Sequence, residues 1–329
     1  MARVVLFGAG KTGARSARQL CSSGAIASIE IRDLDQGVAA NLADSLGPTA
    51  TSSAGEDLAS DVELVVIATP TGTQAGLARQ AVQAGAAVVA TSNATDEVRD
   101  LLTLDQEAKR HGRPVLVGAG FMPGLTGLIA RHASREFDAV EEIHVAKVGT
   151  GGPACARQHH SALSSTGVDW RDGRWTRRLG GSGRELVWFP DPVGGRDCYR
   201  AALPDALLLV PHFGGVERVT ARQAAGRNDR LTAPLPMLRR PHPEGGLGAV
   251  RVELRGRVGQ RRRVVMYGAA ERPAIVAGAV AASVALKALT GGLRPGAYGL
   301  AGIDDTVAIL DDLSERGIRP VKFEGAGGF

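Results

Sequence analysis

The chain has three cysteines in 329 residues (Cys21, Cys155 and Cys198), scattered and odd in number. That excludes a disulfide scaffold and a cysteine-only zinc module. Aromatic residues make up 4%, whereas nucleic-acid binders add stacking platforms to a recognition motif, so no nucleic-acid partner is expected. The longest weakly polar run, residues 274–286, stops at Lys287 and falls short of the ~20 residues that span a bilayer, so no membrane partner is expected. Lysine is scarce, 5 against 34 arginines, beside 44 glycines. Such a balance follows from GC-rich codons, and the net charge of +5 carries no message by itself. Arginine nonetheless suits carboxylates and phosphates. What remains is 44% apolar and 22% charged, an ordinary globular composition of a length suited to about two domains. The opening MARVVLFGAG enters a strand pattern at once, without a charged leader, so a cytoplasmic location is expected.

Short apolar runs at 4–7, 27–31, 64–68, 86–90 and 115–117 alternate with helical stretches near 14–22, 37–45, 74–84 and 96–111. This alternation predicts βαβ units and an α/β, Rossmann-type doubly wound parallel sheet over residues 1–123. From residue 124 the pattern changes. Alternating runs at 142–148, 184–189, 206–210, 249–254 and 264–268, separated by Gly/Pro turns, predict a second α+β domain on a mostly antiparallel sheet over 124–272. Arg261, Arg262 and Arg263 read as a hairpin tip. Residues 273–329 read as C-terminal helices, 273–289 and 304–316, packing back on the first domain, with a frayed closing GAGGF.

The strongest chemical signal is Gly8-Ala9-Gly10-Lys11-Thr12-Gly13. A G-x-G-x-x-G element carries weight only after a strand and before a helix, which is its place here. The first glycine allows the tight turn and the second lets backbone approach a pyrophosphate. The third lets helix and strand pack closely, with helix N–H groups offered to the anion. Asp33, 20 residues after Gly13 at the end of the second strand, is placed to accept hydrogen bonds from both adenosine ribose hydroxyls. It would repel a 2′-phosphate, so the expected cofactor is NAD, with NADP possible through the neighbouring Arg32. Thr69-Pro70-Thr71, Thr91-Ser92 and Gly118-Ala119-Gly120-Phe121 follow later strands at the same sheet edge, where ligands of open α/β sheets bind.

The stretches VVLFGAGKTG, VVIATPTGTQAGLARQAVQAGAAVVATS and GAGFMPGLTGLIARHA resemble the saccharopine dehydrogenase-like (saccharopine reductase-type) family, as do residues 169–175 and the closing small-residue helix. The resemblance implies a Rossmann domain followed by a substrate and dimerisation domain, and hydride transfer to or from an imine formed from an amino acid and a carbonyl compound. The family's Gly-x-Asp-Pro-Gly segment is here Gly120-Phe121-Met122-Pro123-Gly124, which places Gly120, Phe121, Met122 and Gly124 at the substrate. Met122 stands where the family has Asp, pointing away from saccharopine itself.

In the second domain His159 and His160 follow Arg157 in what reads as a loop of little apolar content. One imidazole would act as proton relay or hydrogen-bond donor and Arg157 would clamp a carboxylate; the alternative is a solvated pair. Lys147 and Tyr199 stand second to them. No ligand spacing suggests a metal. The expected function is a nicotinamide-dependent oxidoreductase acting on the C=N/C–N bond of a small amino-acid-derived imine or secondary amine, most simply as a homodimer. The alternatives are a ketone or enoyl reductase on the same scaffold, or an NAD(P)-binding regulator without turnover.

Overall fold

A computed structural model describes residues 2–237 and 240–323. The chain divides into two compact units, Met1–Gly120 with Ala274–Leu300, and Phe121–Pro273 with Ala301–Phe329. The first boundary falls between Gly120 and Phe121, three residues before the expected one. Nor is 273–329 one body: it divides at Leu300, and its last helix, Val307–Glu315, goes with the second unit. The closing GAGGF lies outside the described residues.

The first unit runs β1 (Ala2–Phe7), α1 (Lys11–Ser22), β2 (Ile26–Arg32), α2 (Gln36–Leu46) and β3 (Ala50–Ser52). It continues with β4 (Leu64–Ile67), α3 (Gln74–Gln83), β5 (Ala87–Ala90), α4 (Thr95–Leu102), α5 (Asp105–Arg110) and β6 (Pro114–Val117). Its parallel sheet has the order β6-β5-β4-β1-β2-β3, and the strand Gly296–Gly299 adds beside β6. Every residue of β4, β5 and β6 is buried. Parallel strands covered on both faces read as continuous apolar runs, which is why their sequence signal is so direct. The single helix expected over 96–111 is two, parted at Thr103 and Leu104. The long small-residue helix, Pro273–Thr290, meets α1: Ser16 Oγ donates to Gly278 O at 3.0 Å. A Cβ on Gly278 would lie 2.5 Å from Arg15 Cβ, so glycine is what permits this approach.

The second unit runs α6 (Leu125–Ala133), β7 (Ala139–Val148), α7 (Pro153–Ala162), β8 (Thr166–Arg171), β9 (Arg174–Leu179), β10 (Glu185–Phe189) and β11 (Gly194–Arg200). Then come α8 (Asp205–Leu209), β12 (Arg218–Ala224), α9 (Arg227–Thr232), β13 (Gly248–Val258) and β14 (Arg261–Glu271). The sheet order is β10-β11-β12-β7-β13-β14, with β8 and β9 attached to β12 and the strand Val321–Lys322 beside β14. All pairings are antiparallel except β7 with β12, so the sheet is mixed.

Strand alternation gives β7, β12 and β13 two unlike faces. Ile143, Val145, Val219, Ala221, Val250, Val252 and Leu254 share one with Lys147 and Gln223. The other carries a charged ladder, in which His144 bridges Thr220 and Glu142 at 2.8 Å each, and Arg251 and Arg255 both bond Glu253. Two expectations fail in this unit. Residues 206–210 are not a strand but mostly helix α8, because a short apolar run does not separate the two and Ala and Leu favour helix. The loop expected around His159 and His160 is helix α7, opened by Pro153, a residue preorganised for the first helical position.

Candidate functional site

The glycine loop follows β1, which lies between β2 and β4, where the strand order reverses. Gly8 has φ +95°, and a Cβ there would lie 2.6 Å from Ala68 O. A Cβ on Gly13 would lie 1.8 Å from Gly8 O. Both glycines are therefore demanded by the chain's own packing. Gly10 is not, since a Cβ there meets nothing within 4 Å. That open side, at the start of α1 where no side chain caps the helix, is what a pyrophosphate needs, with N–H groups and the positive end of the helix dipole turned towards it. Lys11 and Thr12 are the first two residues of that helix.

Asp33 Oδ2 accepts from Ala9 N at 2.7 Å and Oδ1 from Asp35 N at 3.0 Å. A carboxylate has about four lone-pair sites, so capacity for two ribose hydroxyls remains. Arg32 does not share this role. Its Nε and Nη2 lie 2.9 and 2.8 Å from Glu30 Oε1, and Nη1 donates to Asp57 O at 2.7 Å. Burial raises the Glu30 pKa, but bonds from Ser53 and Arg32 outweigh it and hold the carboxyl below its ordinary value. Leu34, next to Asp33, is 99% exposed and offers an apolar face.

The loop after β4 is organised by a residue that sequence reasoning missed. Glu97 Oε1 accepts from Gly72 N and Gln74 N, both at 2.8 Å, and Oε2 from Ser92 Oγ at 2.7 Å. The carboxylate thus caps α3 from a different helix. Thr73 Oγ1 donates to Thr69 Oγ1 at 2.8 Å, and Pro70 and Thr71 are exposed. Ser92 is buried with its hydroxyl committed to Glu97, and Thr91 Oγ1 donates to Ile67 O at 3.1 Å. These two shape the loop and do not offer free hydroxyls to a ligand. Only a charged residue inside an amphipathic helix, opposite a turn, hinted at Glu97.

In the second unit Phe121 and Met122 are buried and lead into α6, which starts after Gly124 at φ +125°; Gly120 ends the first unit's segment. On α7, Arg157 is exposed and His160, three residues on, donates through Nε2 to Leu235 O, 2.9 Å away, since a nitrogen facing a carbonyl must carry the proton. His159 turns inward. Its Nε2 lies 3.2 Å from Ala224 O, while its own carbonyl accepts from Gln223 Nε2 at 2.7 Å. Burial, with the nearby Lys147 charge, pushes its pKa down to about 3. At neutral pH the ring is neutral, Nε2–H donates, and the buried Nδ1 acceptor has no partner among the described residues.

Around it the fold gathers a polar cluster. Lys147 on β7 is 3% exposed and registers with Gln223 of β12, which is fully buried. Lys147 forms no hydrogen bond or ion pair among the described residues. Asp205, 1% exposed at the start of α8, accepts from Thr126 Oγ1 at 3.0 Å. Burial raises its pKa to about 6, opposed by Thr126 and the Lys147 charge. Gln223 Oε1 and Asp205 Oδ2, like His159 Nδ1, are buried acceptors without a donor among the described residues. A buried cation and three orphan acceptors in one unit are costly unless something pairs with them. The signal was a lone lysine in the apolar strand HVAKV. Among the described residues no three His, Cys, Asp or Glu side chains gather as a metal site requires.

Residues 2–119 match the model of the oxidoreductase family with an NAD-binding Rossmann fold. The NAD-binding domain so defined ends one residue before the first unit's break at Gly120. Among curated proteins none matches the chain. Of solved structures, the saccharopine dehydrogenase (L-Glu forming) of Saccharomyces cerevisiae shares the fold at TM-score 0.70, 14% identical over 98% of this chain and 100% of that one. A probable dehydrogenase from Thermotoga maritima follows at 0.52, 13% identical over 97% and 98%. A myo-inositol dehydrogenase from Corynebacterium glutamicum follows at 0.51, 16% identical over 99% and 100%. In each case the likeness runs over nearly the whole chain, so the second unit as well as the first shares the fold of these structures.

Proposed function

We propose that the protein transfers hydride between NAD(H) and the C=N or C–N bond of a small imine or secondary amine that carries an amino-acid moiety. The observation behind this reading is a cation, Lys147, and three buried acceptors in the second unit that have no partner among the described residues. A ligand that complements them must present both an anion and N–H or O–H donors, and an amino-acid group does so. Lys147 would hold its carboxylate, while Asp205 Oδ2, Gln223 Oε1 and His159 Nδ1 would accept from its amine hydrogens.

NAD, when bound, supplies hydride chemistry. The chain's residues bind and orient it: the uncapped start of α1 takes the pyrophosphate, Asp33 the ribose hydroxyls, and Leu34 the adenine face. Preference for NAD over NADP follows from Asp33, which would repel a 2′-phosphate by about 1–2 kcal/mol after screening. An iminium already carries the charge that draws hydride, so the scarcity of a charged acid at neutral pH is compatible with this chemistry. A homodimer is the assembly we expect, two-fold dimers being commonest.

The test is a fluorescence screen of NADH consumption with paired amino acids and keto acids, followed by Lys147→Met. On a substrate found this way, Lys147→Met should lower kcat/KM by about 10²–10³ through loss of a charge-assisted pair, with the Kd for NAD unchanged. Turnover of ketones lacking a carboxylate, unaffected by Lys147→Met, would replace this reading with that of a simple ketone reductase.

A further inference from the structure

We propose that Glu30 sets the dinucleotide preference by holding the Arg32 guanidinium away from the adenosine ribose, so that the cation next to Asp33 in sequence is withheld from a 2′-phosphate. This rests on the NAD reading above.

Arg32 is the residue that would otherwise change the preference, since an arginine at the end of the second strand is how a 2′-phosphate is accommodated. Its guanidinium is fully engaged elsewhere. Nε and Nη2 share Glu30 Oε1 at 2.9 and 2.8 Å, and Nη1 reaches Asp57 O at 2.7 Å and Gly55 O at 3.4 Å. Its central carbon lies 5.4 Å from the Phe7 ring centroid. Glu30 is held in turn by the Ser53 hydroxyl and by Arg3 Nη2 at 3.3 Å. Strand alternation explains the geometry: Glu30 and Arg32, two apart on β2, share a side, whereas Asp33 follows on the other. The two side chains are only 14% and 9% exposed, so solvent screens this pair far less than a surface one.

Without the Glu30 charge, Arg32 keeps only carbonyl partners. A phosphate offers a bidentate charged partner, which a guanidinium prefers. The stem is long enough for the head group to turn. The arrangement is therefore a phosphate-binding arginine latched in an unproductive position.

The experiment measures, by calorimetry on the full chain, Kd values for NAD, NADP, 5′-AMP and adenosine 2′,5′-bisphosphate. Asp33→Ser removes the repelling carboxylate but leaves the latch, and should strengthen binding of the two 2′-phosphate ligands only by the roughly 5–30-fold that matches the lost repulsion. Glu30→Gln combined with Asp33→Ser should add at least about tenfold more, with a steeper salt dependence. Adding Arg32→Ala to that pair should abolish the extra gain. A second comparison leaves Glu30 untouched: with the latch in place, Arg32→Ala/Asp33→Ser should bind NADP as Asp33→Ser does. If Asp33→Ser alone yields the full gain, or if Arg32→Ala removes the gain of Asp33→Ser, Arg32 is already free and the proposal is overturned. Additivity of Glu30→Gln and Asp33→Ser overturns it equally. A wild-type chain that binds neither NAD nor 5′-AMP sinks the cofactor reading itself, a result distinct from both.

Discussion

Thr126 Oγ1 donates to one oxygen of Asp205 at 3.0 Å, and no described group donates to the other. The carboxyl is half satisfied in a site with almost no exposure, and its pKa of about 6 reflects that burial. Because the folded value lies above the unfolded one, ionisation is a cost borne by the native state. That cost is absent below about pH 4, grows as pH rises, and is complete above about pH 6. Asp205→Asn should therefore raise Tm above pH 6, by an amount equivalent to roughly 1–3 kcal/mol, and the difference should nearly close at pH 4. Melting curves of the unliganded protein from pH 4 to 8 check this; a difference independent of pH would show that the carboxyl is not strained by ionisation.

His159 has the opposite sign. Its pKa of about 3 lies below the unfolded value, so the stability of the neutral ring is present above pH 6.5 and is lost as pH falls from there towards 3. The expected slope approaches 1.4 kcal/mol per pH unit in mid-window, partly offset by Asp205 between about pH 4 and 6. His159→Gln, whose amide can still donate to Ala224 O, should flatten the acid limb. An unchanged limb would mean that other groups set acid stability.

Turnover should separate the two histidines. His160 is committed to the Leu235 carbonyl on the side of α7 that carries the exposed Arg157, so His160→Ala should leave kcat within about threefold, far from the 10²–10⁴ loss of a positioned proton donor. His159→Ala should cost both stability and kcat/KM, since it also removes the contact to Ala224. Steady-state kinetics on the substrate from the screen decides; a hundredfold fall in His160→Ala would restore His160 as the donor.

Glu97→Ala should destabilise the NAD-binding domain by about 2–4 kcal/mol, because two backbone N–H groups and a buried hydroxyl lose their common acceptor. Ser92→Ala removes one of those bonds and should cost about 1 kcal/mol. Denaturant unfolding measures both, and equal effects would show that Glu97 does not organise the loop.

How much of this the residues announced depends on the range over which each signal acts. Five strands of the first unit, the glycine loop and Asp33 are local, each set by neighbours within a few positions; the strands Ala50–Ser52 and Gly296–Gly299, short and at the sheet's two edges, are not among the expected runs. His159 and Lys147 are not local. Whether an imidazole on a helix faces solvent or a sheet depends on which side of α7 meets β12, a contact made 65 residues away in sequence. Asp205 lay within a Leu-rich run whose periodicity could not distinguish strand from helix, and its burial followed only once α8 had formed. Glu97 acts across 23 and 25 residues on backbone groups, and backbone groups leave no trace in composition.

The chain passes between the two units at three places, after Gly120, Pro273 and Leu300. The strand Gly296–Gly299 completes the first unit's sheet, and Val321–Lys322 edges the second. During synthesis from the N-terminus, neither sheet can close until nearly all of the chain has left the ribosome. A cut after Pro273, the middle crossing, releases no finished half: the piece before it lacks the closing segment of both units, and each partial sheet keeps an open strand edge of the kind that seeds aggregation.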